Sequence, residues 1–223
     1  MIGLAQVKAR IARAVEACGR DPATVKLVAV SKTKPPEAIR EAYAAGQRAF
    51  GENYAQELEQ KARALVDLAD IEWHFIGHLQ TNKAKVVARV AHVVHTVDSA
   101  GLARELAKRV SATGRAPLPV LVEVNVGGEA QKHGAPPGEL ASVLAAVRAE
   151  SALALRGLMT MPPAGDLDKA RNVFEALVSL RDLHGGAEIL RELSMGMSDD
   201  LEIAIACGAT FVRVGTAIFG ARS

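Results

Sequence analysis

Apolar residues fall into short blocks along this chain, separated by longer amphipathic stretches. Eight blocks have β character: Val25–Val30, Ala49–Phe50, Glu72–Ile76, His92–Val97, Val120–Val126, Ala154–Met159, Glu192–Met195 and Phe211–Val214. Leu27-Val28-Ala29-Val30 and Val120-Leu121-Val122 are unbroken apolar runs, the pattern of parallel strands buried on both faces. Between the blocks the period lengthens to that of a helix. Leu140, Val143, Leu144 and Val147 stand at i, i+3, i+4, i+7, as do Ala170, Val173, Phe174 and Leu177. Pro35-Pro36 opens one helix and Gly46 closes it, Ser99 precedes another, Pro136-Pro137 opens a third, and Ser198-Asp199-Asp200 opens a fourth that ends at Gly208. Leu4, Val7, Ile11, Val15 and Cys18 predict one further helix ahead of the first strand, within residues 1–20 and packed on the rest. Strands alternating with helices mean βα units around a parallel sheet. Eight such units favour a closed α/β (β/α)8 TIM barrel over an open doubly wound sheet, which has five or six strands.

Composition narrows the classes. A length of 223 residues suits one barrel domain, and 49% apolar with 23% charged residues excludes a disordered chain. Lys and Arg number 27 against 25 Asp and Glu, a net charge of +2 that gives no electrostatic case for nucleic acid or a membrane surface as partner. Cys18 and Cys207 make neither a disulfide framework nor a cysteine metal site, so a reducing, cytoplasmic compartment is expected. The longest runs without Asp, Glu, Lys or Arg, Trp73–Asn82 and Ile203–Val212, fall well short of the roughly 20 residues that span a bilayer. Charges at Lys8, Arg10, Arg13, Glu16 and Arg20 leave no signal-peptide core.

Chemistry in such a barrel belongs at the C-terminal ends of the strands. The first block ends in Val30-Ser31-Lys32, and alternation puts Lys32 on the face of Val28 and Val30, in a partly desolvated barrel mouth. Desolvation lowers a lysine's pKa and suits its amine to condense with an aldehyde; a rim lysine paired with a carboxylate or solvated is the alternative. After blocks seven and eight come Ser194-Met195-Gly196-Met197-Ser198 and Arg213-Val214-Gly215-Thr216. Loops at those two positions commonly bind phosphate in this architecture, with Gly196 and Gly215 allowing close approach; otherwise Ser198 is an N-cap and the glycines are turn residues.

Other candidates carry less. His74 with His78, and His92 with His95, lack the i, i+4 spacing of a helical zinc site and read as structural hydrogen bonders. Gly127 to Gly134 lacks a Gly-Lys-Ser/Thr ending and reads as a mobile loop, with Lys132 solvated or able to capture free aldehyde. Met159, Met161, Met195 and Met197 read as packing residues that could pad a flat ring. No Ser-His-Asp constellation and no close carboxylate pair stands out, and no metal is expected.

Five ordered segments carry a family resemblance: Leu27 to Pro35, Phe50-Gly51-Glu52-Asn53-Tyr54-Ala55-Gln56-Glu57, Trp73 to Lys83, Leu193-Ser194-Met195-Gly196-Met197-Ser198-Asp199-Asp200, and Val212 to Gly220. Together they resemble the pyridoxal phosphate homeostasis protein family, whose barrel is similar to the N-terminal domain of alanine racemase, the type III fold of pyridoxal 5′-phosphate (PLP) proteins. The resemblance implies a non-catalytic protein of vitamin B6 handling that sequesters, buffers or delivers PLP, with PLP-dependent apo-enzymes as transient partners. It implies a Schiff base on Lys32, Asn53 beside the cofactor, Ser198, Gly215 and Thr216 on its phosphate, and Arg213 facing its pyridine nitrogen. An arginine keeps its proton, so the ring nitrogen goes without one and the ring is a weaker electron sink. Racemases are similar to Lys-x-Asn-x-Tyr where this chain has Lys32-Thr33-Lys34-Pro35-Pro36, and a second acid/base tyrosine comes from a β-domain for which 223 residues leave no room. A monomer and no catalytic residue are therefore expected, with a weak amino-acid racemase as the alternative.

Overall fold

The computed structural model describes residues 1–129 and 131–220; Ala130 of the glycine-rich loop and residues 221–223 lie outside the described residues. The chain opens with α1 (Ile2–Ala17) and continues through β1 (Lys26–Val30), α2 (Pro36–Ala44), β2 (Ala49–Glu52), α3 (Ala55–Ala64), β3 (Glu72–Phe75), α4 (Ala84–Val90) and β4 (Val93–Val97). There follow α5 (Ala100–Ser111), β5 (Leu118–Glu123), α6 (Leu140–Ala149), β6 (Leu153–Met159), α7 (Leu167–Leu183), a short α8 (Gly186–Ile189), β7 (Glu192–Ser194), α9 (Leu201–Ala206), β8 (Phe211–Val214) and α10 (Thr216–Phe219). Each strand pairs in parallel with the next, and β1 pairs with β8 from Lys26↔Phe211 to Ala29↔Val214, closing the predicted barrel.

Closure sorts the strand residues by parity. One set, with Phe50, Trp73, Val94, Val120, Leu158, Leu193 and Val212, joins the large core shared with the helices. The other, Val28, Ala49, Val93, Leu121, Met159 and Phe211, forms a small separate cluster inside the barrel. Burying each large side chain of the outer core contributes about 2 kcal/mol, so this layer carries most of the stability. The helices are cut as their caps dictate. Ser99 Oγ accepts the Leu102 N–H to start α5, and Asp166 caps α7 in the same way.

Several boundaries depart from expectation. β5 starts earlier and stops at Glu123, because Val124 bridges instead to Ala135 as the glycine-rich loop returns. β2 runs on to Glu52, since Gly51 and Glu52 keep pairing with His74 and Phe75. In α1 Leu4, Val7, Ile11 and Val15 are buried as the stripe predicts, and the helix packs against α9 and α10. Cys18 does not extend the stripe: it is the exposed C-cap, where the chain turns off through Gly19 at φ 62°. Among the described residues no helix is long and apolar enough to cross a membrane.

One close approach is set by a missing side chain. A Cβ at Gly157 in β6 would lie 1.7 Å from the carbonyl oxygen of Glu192 in β7, deep inside contact distance. Gly157→Ala should therefore lower stability by about 3 kcal/mol or more in urea unfolding, whereas Gly101→Ala in α5, with open space around it, should leave the midpoint unchanged or raise it.

Candidate functional site

The loops after β7, β8, β1 and β2 sit side by side at the C-terminal mouth of the closed barrel. Position 32 is set there by its neighbours. Ser31, fully buried, turns its hydroxyl outward to Glu52 Oε1 at 2.6 Å. Lys61 of α3, also buried, donates to the Ser31 carbonyl at 2.7 Å, to Glu52 Oε1 at 2.8 Å and to Glu57 Oε2 at 2.9 Å. Glu57 Oε2 in turn accepts the Thr33 N–H at 2.8 Å. Thr33 is the one described non-glycine residue with positive φ, at 62°. That conformation costs on the order of 1 kcal/mol, which the clamp offsets. With Ser31 held outward, alternation leaves half-buried Lys32 on the mouth side.

The adjoining wall is built by β7 and β8. Arg213 points into the barrel at 4% exposure, donating from Nη1 to Ser194 Oγ at 2.6 Å and from Nη2 to the Thr160 carbonyl at 3.0 Å. Burial pushes its pKa down to about 10, and Glu123 and Asp200 across the mouth partly offset that, so it stays charged at neutral pH. Glu123, 2% exposed at the end of β5, is pushed the other way: desolvation, then the nearby Asp98 charge, raises its carboxyl to about 7. Its Oε2 and the Oδ1 of Asn53 are buried polar atoms with no hydrogen-bond partner. Gly215 brings the backbone after β8 so close to β1 that a Cβ would lie 3.1 Å from the Val30 carbonyl. Thr216 then starts α10, whose first N–H groups lack intrahelical acceptors.

Lys32, Asn53, Ser198, Arg213, Gly215 and Thr216, named from sequence, thus all lie on β8, in the four loops of this mouth or, for Thr216, at the start of α10. Ser198 is not the N-cap of the following helix. It stands in the turn before α9, whose N-cap is Asp200, and Asp200 Oδ1 accepts the Met197 N–H at 2.6 Å. Sequence reasoning missed Glu52, Lys61, Glu123, Ser194 and Thr160. Glu123 carried a faint signal, a carboxylate ending an apolar strand; Lys61 carried none, because Glu57–Lys61 at i, i+4 looks like an ordinary surface pair.

The secondary candidates resolve as follows. His92 Nδ1 accepts the Trp73 N–H at 2.9 Å, and His74 and His95 are buried and bonded to each other at 2.8 Å, as structural hydrogen bonders. His78 stacks on His133, ring centroids 3.6 Å apart. The glycine-rich loop is pinned: Asn125 N–H reaches the Ala135 carbonyl at 3.0 Å, and Asn125 Nδ2 reaches the Glu129 carbonyl at 2.9 Å. Lys132 is half-buried, with its ammonium 2.5 Å from Glu129 Oε1. Met159 and Met195 are buried packing residues, whereas Met161 is 37% exposed. No metal-binding group of His, Cys, Asp and Glu exists among the described residues.

Comparison with known proteins fits this geometry. The profile described as alanine racemase, N-terminal domain, matches residues 2–223. The pyridoxal phosphate homeostasis protein of Pseudomonas aeruginosa is 51% identical over 221 residues, 98% of this chain and 94% of that protein. The chain belongs to the pyridoxal phosphate homeostasis protein family. Its Escherichia coli member is 45% identical over 226 residues, covering 98% and 95% of the two chains. Among solved structures, PipY of Synechococcus elongatus with PLP bound superposes with a TM-score of 0.79 at 38% identity, over 94% of this chain and all of that one. Alanine racemase of Corynebacterium glutamicum, at 19% identity and a TM-score of 0.67, shares the fold over 98% of this chain and 61% of its own.

Two consequences for this family member can be measured. Lys61→Met strands Glu52 without its ion partner and should cost about 3–5 kcal/mol in urea unfolding, with faster amide exchange at Thr33; Glu52→Gln combined with Lys61→Met should recover most of the loss. Because the folded-state value of Glu123 lies above its ordinary 4.5, the folded protein holds that proton longer than the unfolded chain. Stability therefore falls as pH rises from about 4.5 to about 7, and Glu123→Gln should remove that fall, a gain on the order of 2–3 kcal/mol at pH 8 in denaturant titrations.

Proposed function

We propose that this chain is a PLP-binding protein of cofactor homeostasis, which holds PLP covalently on Lys32 and releases it to apo-enzymes without turning over a substrate. The observation that carries the reading is the convergence, at one barrel mouth, of Lys32, the orphaned Asn53 Oδ1, the charged Arg213 and the close-approaching turn at Gly215-Thr216. These residues fit the chemistry of the ligand. An amine suits its aldehyde, a guanidinium that cannot give up its proton suits an unprotonated ring nitrogen, and hydroxyl and backbone donors at Ser198, Gly215 and Thr216 suit its phosphate. Bound PLP supplies an electrophilic aldehyde and an electron-withdrawing ring. Arg213, fixed by Ser194 and Thr160, would hold a donor at the ring nitrogen and so keep that withdrawal weak.

A racemase needs a second acid/base group across the ligand from Lys32. The chain has two tyrosines. Tyr43 hydrogen-bonds Asp70 and lies under Arg48, and Tyr54 is 55% exposed at the start of α3. Tyr43 is engaged in those contacts and Tyr54 is solvent-exposed, which supports binding without catalysis. A single barrel working as a monomer in the cytoplasm accords with this reading.

An absorbance spectrum with PLP, before and after borohydride, tests it. Reduction should leave pyridoxyl on Lys32 alone in peptide maps, Lys32→Ala should lose the band, and a panel of L- and D-amino acids should show no turnover. An unlabelled Lys32 overturns the assignment, and turnover abolished by Lys32→Ala overturns the non-catalytic reading.

A further inference from the structure

A column of polar side chains runs down the barrel interior from Arg213 to the floor. Below Arg213 Nη1, Ser194 Oγ lies 2.7 Å from His95 Nδ1, and His95 Nε2 lies 2.8 Å from His74 Nδ1. His74 Nε2, buried and without a hydrogen-bond partner, lies within charge contact of Glu72 Oε1 at 3.2 Å. Glu72 Oε2 accepts from Lys26 Nζ at 2.8 Å, where both residues line a floor cleft of about 310 Å³. Ser194, His95 and His74 are fully buried, and Phe211 packs edge-on against both imidazoles. The middle of a barrel usually holds branched apolar side chains, so this column displaces packing that would otherwise stabilise the fold.

We propose that Ser194, His95 and His74 form a one-directional hydrogen-bond relay, oriented from its floor by the Glu72 carboxylate, that positions Arg213 from beneath, making the grip on PLP depend on two imidazoles that do not touch it.

The direction follows from the two ends. Arg213 can only donate, so Ser194 Oγ accepts from it, while the ionised Glu72 carboxylate at the other end can only accept and draws the His74 proton to Nε2. His74 Nδ1 then accepts from His95 Nε2, which leaves His95 Nδ1 to accept the Ser194 hydroxyl proton. Glu72 is an acceptor only when ionised, and the contacts with His74 and Lys26 hold its carboxyl down at about 2. Burial pushes both imidazoles below their ordinary values, so each stays neutral and keeps the one donor and one acceptor the relay needs. Reversing His95 alone would set two acceptors, His95 Nε2 and His74 Nδ1, against each other, and reversing both rings would turn the bare His74 Nε2 onto the Glu72 carboxylate. The inference rests on the proposed place of Arg213 at the ring nitrogen; His95 and His74 are positioning residues.

The test combines 15N-histidine NMR of the full chain at pH 7.5 with PLP release followed by absorbance. His74 and His95 should both be neutral with the proton on Nε2. His74→Phe, which keeps an aromatic ring but no acceptor, should shift the His95 tautomer and speed PLP release about fivefold to tenfold, the worth of one buried hydrogen bond. His74→Gln, which restores a donor and an acceptor, should return release to within about twofold. If His74→Phe does not fold, Glu72→Leu at the floor carries the same expectation. A proton on His95 Nδ1, or release unchanged in the folded variant, overturns the relay alone. An unmodified chain that takes up no PLP overturns the proposed function and this inference with it.

Discussion

The pairing of β1 with β8 is the constraint on which the rest of the molecule depends. Four register pairs, Lys26↔Phe211 through Ala29↔Val214, turn a row of βα units into a closed cylinder, and a closed cylinder has an inside. From then on every strand residue is committed by parity to the helix-facing core or to the lumen. The same pairing brings the two ends of the sequence together, so that the turn at Gly215 lies against Val30, two residues before Lys32. Without closure, the lysine and the turn after the last strand would stand at opposite edges of an open sheet.

Closure also explains why the lumen can be polar. The outer layer, from Phe50 and Trp73 to Leu193 and Val212, supplies the apolar burial that holds the barrel shut. The lumen is thereby relieved of that task and keeps only a small apolar cluster around Val28, Leu121 and Phe211. Into the remaining space the strands project Arg213, Ser194, His95 and His74, each a cost in isolation and each hydrogen-bonded to its neighbour in the column. On the outside of β1, Glu52 and Lys61 act similarly at the Ser31–Thr33 turn, where a buried ion pair and Glu57 hold a left-handed threonine next to Lys32.

Much of this was readable in order along the chain. β8 falls on Phe211–Val214 as the apolar block indicates, and Leu140–Ala149 and Leu167–Leu183 bury the residues their periodicity marks. Where boundaries moved, a partner distant in sequence moved them: Ala135 took Val124 away from β5, and β3 extended β2 to Glu52. Ser198 lost the N-cap to Asp200 because cap choice depends on where the backbone bends, and both residues are competent caps. Lys132 reads as exposed from its glycine-rich surroundings, yet the pinned loop folds it onto Glu129.

The sequence by itself determined the alternation of strand and helix, the number of units, the lysine after the first strand and the glycine-bearing turns after the last two. These are local facts, carried by periodicity and by residues a few positions apart. Tertiary structure alone decided that His74, His95, Ser194 and Arg213 form one column, that Glu123 lies desolvated opposite Arg213, and that Lys61 is a buried clamp and not a surface charge. The reason is physical: whether a polar side chain is solvated, paired or stranded depends on what closure places against it, and column residues 19 to 99 positions apart leave no local pattern to announce that they will meet.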